Sequence, residues 1–428
     1  MSGASLRERL PVMALYVIAV WVPLQYLPTR QYEILPPAVV WLDEALLVFL
    51  AVIAAIRAWR HPEQARLPLN SPLLAFLVVA VASALWNGSS IIQLVLGLRA
   101  LLQCVALCYI IVLLRVSARD LIRLAAVTVS LATLQAPFAV YQFARTYRLM
   151  SRDEVFGTMW RGASNSMAYY LLMVMLPLAG FWIRRPGSRW PLAALAAMMV
   201  PFVFTSSRGA YYIAPVLCLA AFWEPLRTTR RIRVVMMCGL ALALALFAVY
   251  YALKPQSYGS EVSAELSPIR VWREQLDSKG GMGRLYYLQH VLGLFRREGL
   301  TTLWVGLGPA SFSSTSGAYL RAPLLAEATR NAHSPVIPSQ LIATLAEFGL
   351  LGLAAFAWAV IRGIDVLRAA GRQLRDPSWR GFAEGAFGAG MFFLLVIPLD
   401  NIWELQFVAY YFWGMVGAAT LALRSNTL

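Results

Sequence analysis

PLAALAAMMVPFVFTSSRGAYYIAPVLCLAAFW (Pro191–Trp223) is two apolar runs joined by TSSRG (Thr205–Gly209), with Arg208 as its only charge. Two helices meeting at a tight turn would place Arg208 in the first turn of the second helix, with Ser206 or Ser207 as its N-cap. A helix N-terminus offers free N–H groups and partial positive charge. A guanidinium added there makes an anion site suited to phosphate. The surroundings decide whether that turn lies in water or at a membrane.

They point to a membrane. The 428 residues are 60% hydrophobic and only 14% charged, against about 25% charged in soluble domains. Apolar runs near or above about 18 residues recur along the chain, as repeated bilayer crossing requires. The net charge of +16 comes from arginines in short loops between those runs. That placement fits membrane topology better than a nucleic-acid-binding face. Cys104, Cys108, Cys218 and Cys238 all fall in apolar segments and read as small buried hydrophobes, with neither a disulfide framework nor a zinc site implied. Basic residues precede the first apolar run, but no clear small-x-small cleavage site follows it. It is expected to be a retained first transmembrane helix.

The apolar runs are 10–27, 38–56, 71–86, 91–114, 121–143, 167–183, 191–204, 209–223, 234–253, 339–361, 382–398 and 405–423. The expected fold is an all-α polytopic membrane domain of about 12 transmembrane helices over residues 1–428. Arginine-rich loops around Arg57–Arg66, Arg115–Arg123, Arg184–Arg189, Arg227–Arg233 and Arg362–Arg380 share one face with both termini. By the positive-inside rule that face is cytoplasmic. On the other face, residues 254–338 form a large loop between spans nine and ten, too long to be structureless. Within it, Gly283–Gly299 has helical apolar spacing at Leu285, Leu288, Leu292 and Leu294, which predicts an amphipathic helix resting on the membrane or the bundle.

Four arginines fall toward this outer face. Arg208 is in the opening turn, Arg161 in GTMWRGASNS and Arg284 in GGMGRLYY. Arg99, in LGLRALL, lies about two turns below the outer end of span four. An arginine at that depth costs a few kcal/mol unless it meets a partner or a water-filled cavity. The plain alternative is that each snorkels to the interface or pairs with a nearby acid. Neither Arg208 nor Arg99 has an acid close in sequence.

GLRALLQ (Gly97–Gln103), WRGASNSMAYYL (Trp160–Leu171), TSSRGAYY (Thr205–Tyr212), GRLYYLQHVLGLF (Gly283–Phe295), WVGLGPASF (Trp304–Phe312) and LAEFGLLGL (Leu345–Leu353) occur in that order. With the large outer loop between spans nine and ten, they resemble the O-antigen ligase and O-antigen polymerase (Wzy-like, WaaL-like) membrane glycosyltransferases. The resemblance covers most of the chain and implies a GT-C-like inner-membrane enzyme with a periplasmic active site. The implied donor is a glycan on undecaprenyl pyrophosphate, and the acceptor a lipid-linked repeat or lipid A-core. An acceptor hydroxyl would displace lipid pyrophosphate with inversion, and fixed positive charge would stabilise the leaving group. Arg208 and Arg284 match the family's periplasmic arginines, with Arg161 and Arg99 as assisting candidates. The chain has no Asp-x-Asp motif, in keeping with a reaction that needs neither metal nor cofactor.

The base is less evident. The chain has three histidines, His61, His290 and His333, and His333 precedes span ten on the outer face, where a general base would be useful. The ligases carry a histidine, then Asn, Ser or Gln, then nine residues and a glycine. Counted back from Gly349, that register holds Pro338 followed by Ser339, so His333 lies five residues early. Either the loop carries an insertion or His333 is incidental. Glu347 could serve instead, or be a structural carboxylate paired to an arginine; Asp400 and Glu404 near the last outer turn are further candidates. The missing register favours a polymerase over a ligase. A lipid-linked oligosaccharide flippase is the competing non-enzyme. It would show broken helices at matching positions of two halves, and no such halves are evident.

Overall fold

The computed structural model describes residues 6–146, 155–159, 164–185, 187–205, 207–230, 284–311, 339–398 and 406–426, with single positions between 232 and 248. The helices are α1 (Leu6–Leu24), α2 (Leu42–Arg60), α3 (Asn70–Trp86), α4 (Ile91–Leu113), α5 (Ala118–Thr146), α6 (Ser164–Arg184), α7 (Trp190–Phe204) and α8 (Arg208–Thr228). They continue with α9 (Arg284–Glu298), α10 (Leu300–Val305), α11 (Gln340–Gln373), α12 (Pro377–Val396) and α13 (Gln406–Asn426). Among the described residues there is no strand, so the all-α expectation holds. Each apolar run other than 234–253 falls largely on one of these helices, and the described positions between 234 and 248 are helical too.

By length and hydropathy, Ala118–Arg145, Asn165–Arg184 and Gln340–Gln373 are each sufficient to cross a membrane. α4 joins them if its segments Ile91–Arg99 and Leu102–Leu113, bent by 62°, count as one span. Leu10–Leu24, Asn70–Trp86, Trp190–Phe204 and Ile213–Trp223 are apolar but shorter.

α6 is the buried axis of the bundle. Met167, Ala168, Tyr170 and Leu171 are fully enclosed, and its most extensive partner is α12. Small residues bring the two backbones together. A Cβ on Gly180 would stand 2.1 Å from the Gly381 carbonyl oxygen, and one on Gly385 2.1 Å from that of Leu176. Hydrocarbon solvates apolar side chains as well as a protein does, so this close backbone approach supplies the attraction between spans. At one end of the seam Arg184 Nε donates to Glu384 Oε2 at 2.9 Å, and Arg380 Nε donates to Glu384 Oε1 at 3.2 Å. α12 begins where Asp376 caps the Ser378 and Trp379 N–H groups at 2.8 and 3.0 Å.

The structure alters two expectations. The predicted loop at Arg362–Arg372 is helical: α11 runs unbroken through these arginines to Gln373. The helix expected within 254–338 does rest on the bundle, but its packed stripe shares only Leu288 and Leu294 with the expected one. Val291, Leu294 and Phe295 are buried against Ile342, Leu345 and Ala346 of α11, while Leu292 is exposed. A face built on 288, 291, 294 and 295 follows the i, i+3, i+4 rule, whereas Leu292 lies off it.

Candidate active site

α11 begins at Ser339, whose Oγ caps the Ile342 N–H, and it breaks at Gly349, where φ is +65°. The break frees two carbonyls that a continuous helix would have used. The Ala346 carbonyl accepts from Leu307 N–H at 2.8 Å and that of Glu347 from Gly308 N–H at 3.1 Å. Ser83 Oγ, from α3, donates to the same Glu347 carbonyl at 3.1 Å. WVGLGPAS is thereby pinned against the kinked helix.

Glycine is required on both sides of this clamp. Gly306 has φ +81°, and a Cβ there would lie 2.3 Å from the Glu347 carbonyl oxygen. A Cβ on Gly349 would lie 2.4 Å from the Trp304 carbonyl. On the far side, Asn87 Nδ2 donates to the Gly306 carbonyl at 3.0 Å and to that of Ser83 at 2.8 Å. Gly97 on α4 sits under Pro309, with room for no side chain, since its Cβ would be 2.7 Å from that ring. Three of the sequence motifs, GLRALLQ, WVGLGPASF and LAEFGLLGL, therefore meet at one end of the bundle.

Glu347 is at the centre of this junction. Its half-buried carboxylate accepts a hydrogen bond from the Ala310 N–H, so its described partner is the motif loop and not an arginine. Arg99, two residues beyond Gly97, lies at the α4 bend. It forms an ion pair with Glu44 of α2 and stacks over Trp41, its guanidinium carbon 4.4 Å from the ring centroid. The acid absent from Arg99's sequence neighbourhood is thus supplied by another helix. Much of its charge is already neutralised, and any ligand would share it with Glu44.

Beside Glu44 lies a residue the sequence reading missed. Asp43 is enclosed in the bundle (1% exposed), and its carboxylate accepts from the Tyr410 hydroxyl, which is in turn 2.5 Å from Gln103 Nε2. The signal was available: two adjacent carboxylates inside an apolar run are costly and mark a functional or paired site.

The α7–α8 turn agrees with the opening expectation in outline. α8 does begin at Arg208, and the Ser207 carbonyl accepts its first bond, from Tyr211 N–H at 3.1 Å. The Ser207 hydroxyl does not cap. It is buried without a hydrogen-bond partner among the described residues, and Ser206 lies outside them. Tyr211 returns its hydroxyl to the Val203 carbonyl, closing the turn. Arg284 is likewise the first residue of its helix, α9. The side chains of Arg208 and Arg284 lie outside the described residues, as do Arg161, His333, Pro338, Asp400 and Glu404. The approach to Arg161 is described: Gln135 and Gln142 of α5 hold Phe156, Gly157 and Thr158 through bonds of 2.7–3.0 Å.

The Arg208 turn, α9, the WVGLGPAS loop up to Ser311 and Glu347 also fall in one stretch that matches a known family. Residues 192–357 match the family model described as O-antigen ligase. By that match, residues 192–357 are similar to the O-antigen ligase/polymerase family. No curated protein matches the chain. The match and the apolar helices support a bacterial membrane protein with a glycosyl-transfer function in O-antigen assembly, acting on lipid-linked glycans.

Proposed function

We propose that the chain is a polymerase that joins one undecaprenyl-pyrophosphate-linked repeat to another at the periplasmic face of the inner membrane. About twelve crossings with both termini cytoplasmic would put residues 254–338 and the α3–α4 turn in the periplasm. The acceptor hydroxyl oxygen attacks the anomeric carbon from the face opposite the leaving group. As the new glycosidic bond forms, the bond from that carbon to the phosphate oxygen breaks, and the pyrophosphate departs with its electron pair on the polyprenyl carrier. The hydroxyl proton passes to a base, assigned to His333. Arg208 and Arg284 hold the pyrophosphate, each at a helix N-terminus where the backbone adds to their charge. Arg161 and Arg99 assist, and Glu347 positions the motif loop. The reaction is taken as metal-independent because arginines carry the charge and the chain has no Asp-x-Asp motif.

One observation carries polymerase over ligase: Pro338, which cannot accept a proton, occupies the register of the ligase histidine. The family description itself favours the second reading, transfer of finished polymer to lipid A-core. The glycan profile of a strain lacking the gene separates them. Loss of long polymer, with single repeats still made and transferred, supports the polymerase. Long polymer accumulating on undecaprenyl pyrophosphate identifies a ligase. Repeats trapped on the cytoplasmic side identify a flippase and overturn the arginine site.

A further inference from the structure

A cavity of about 380 Å³ runs through the bundle between α1, α4, α5, α6, α12 and α13, with Tyr410, the partner of Asp43, in its wall. Its walls are almost wholly apolar, so water entering it would find too few partners to stay. From Met173 on α6 it extends to Arg185, just past the end of that helix, about 18 Å at ~1.5 Å per residue. That is close to one leaflet, half of a hydrocarbon core of ~30 Å. Ile122 and Trp190 belong to its wall yet are 58% and 50% exposed, which marks the side on which it opens to lipid.

The mouth differs from the walls. Arg185, Trp190, Ser378 and Trp379 line that end. Paired tryptophans are typical of the level where hydrocarbon meets water. Arg184 and Arg189 flank Arg185 at the α6–α7 junction, and Arg380 lies in the first turn of α12. The nearby acids are already engaged: Glu384 with Arg184 and Arg380, and Asp376 with the α12 N-terminus, although Asp376 also feels Arg185. The end is therefore cationic overall.

We propose that this cavity is a binding site for an anionic membrane phospholipid, with one acyl chain inside and the phosphate at Arg185. Its depth of one leaflet suits an acyl chain rather than a polyprenyl tail, which would need space beyond it. The mouth at Arg185 lies just beyond the C-terminal end of α6, whereas Gly157–Met159 precede its N-terminus, so the phosphate held there belongs to a structural lipid and not to the donor.

The test uses the full chain purified in mild detergent and depleted of lipid, titrated with phosphatidylglycerol, phosphatidylcholine or undecaprenyl phosphate while thermal unfolding and bound lipid are measured. Phosphatidylglycerol is expected to raise the unfolding temperature and remain bound. Arg185→Gln is expected to weaken it about tenfold, as loss of one charge-assisted contact does. Gly414→Leu fills the cavity from a position where a Cβ meets only Leu107, at 3.5 Å, and is expected to abolish binding. Ala418→Leu is a second filler if Gly414→Leu unfolds in lipid-free detergent. Equal binding of phosphatidylglycerol and phosphatidylcholine overturns the proposal, as does unchanged binding by Arg185→Gln or by a folded filler variant. Retention of undecaprenyl phosphate in preference to phosphatidylglycerol also overturns it, since the cavity would then belong to the carrier.

Discussion

Arg208 and Arg284 each open a helix, and both stand in the proposed mechanism as fixed positive charge for a leaving pyrophosphate. Arg208→Ala is expected to lower polymer formation by about 10²–10³-fold, the usual effect of removing one transition-state donor, with membrane insertion intact. Arg208→Lys is expected to be poor too, because an ammonium does not reproduce the bidentate fork. Polymer length in a complemented deletion strain, with the protein quantified by blot, measures both; full activity of Arg208→Ala would end its assignment. A second contrast concerns glycine. Gly88 has φ +61° with open space around it, whereas Gly306 combines φ +81° with the Glu347 carbonyl at 2.3 Å from a Cβ. Gly88→Ala should cost about 1–2 kcal/mol in backbone strain alone. Gly306→Ala should cost more, seen as a lower unfolding temperature in detergent. At this scale the sequence was partly legible. Arg208's place at a helix start followed from TSSRG, because local backbone preference decides a turn. The Arg99–Glu44 pair and the burial of Asp43 did not follow, because they depend on which helices become neighbours.

The α7–α8 turn, α9 and the kinked α11 were all visible as elements, since apolar spacing and Gly/Ser clusters report local structure directly. Their limits and faces were less so. α9 keeps Leu288 and Leu294 of the expected stripe, but Val291 and Phe295, not Leu292, complete the face that packs on α11. α11 ran past the arginines expected to end it, since arginine is a good helix former and only Leu374 and the Pro377 step stop the helix. The α12 cap gives a test of its own. The N–H groups of Trp379 and Ser378 hold the Asp376 carboxyl below its ordinary range. A depressed folded value means the cap contributes fully above the unfolded carboxyl pKa and is lost as pH falls through the folded one. Asp376→Ala should therefore cost about 1 kcal/mol near neutral pH. The difference from wild type should close in strongly acidic buffer, as followed by thermal unfolding across pH. A gap that persists unchanged there would mean that the carboxylate is not what stabilises α12.

For the whole molecule, the alternation of arginine-rich and arginine-poor loops yields one orientation, and cysteine labelling can test it. Single cysteines introduced at Gly187 and Ser316, in a background lacking the native cysteines, should label from opposite sides of the membrane, the second from the periplasm. Labelling of both from one side would remove the proposed placement of the catalytic loop. The fold class was legible from composition because a bilayer allows few solutions, and closed helices are one. The α6–α12 seam was not, because its partners are far apart in the chain: Arg184 and Glu384 are separated by 200 residues. That separation bears on biosynthesis. At about 5–20 residues per second, Gly180 waits on the order of 10–40 seconds before Gly381 emerges to meet it. During that interval the central helix of the bundle presents Gly180 and the uncovered backbone at Leu176 to whatever the membrane offers. An insertase or the neighbouring nascent helices must shield it, and chains truncated before Pro377 should be cleared by membrane proteases although most of the sequence has been made.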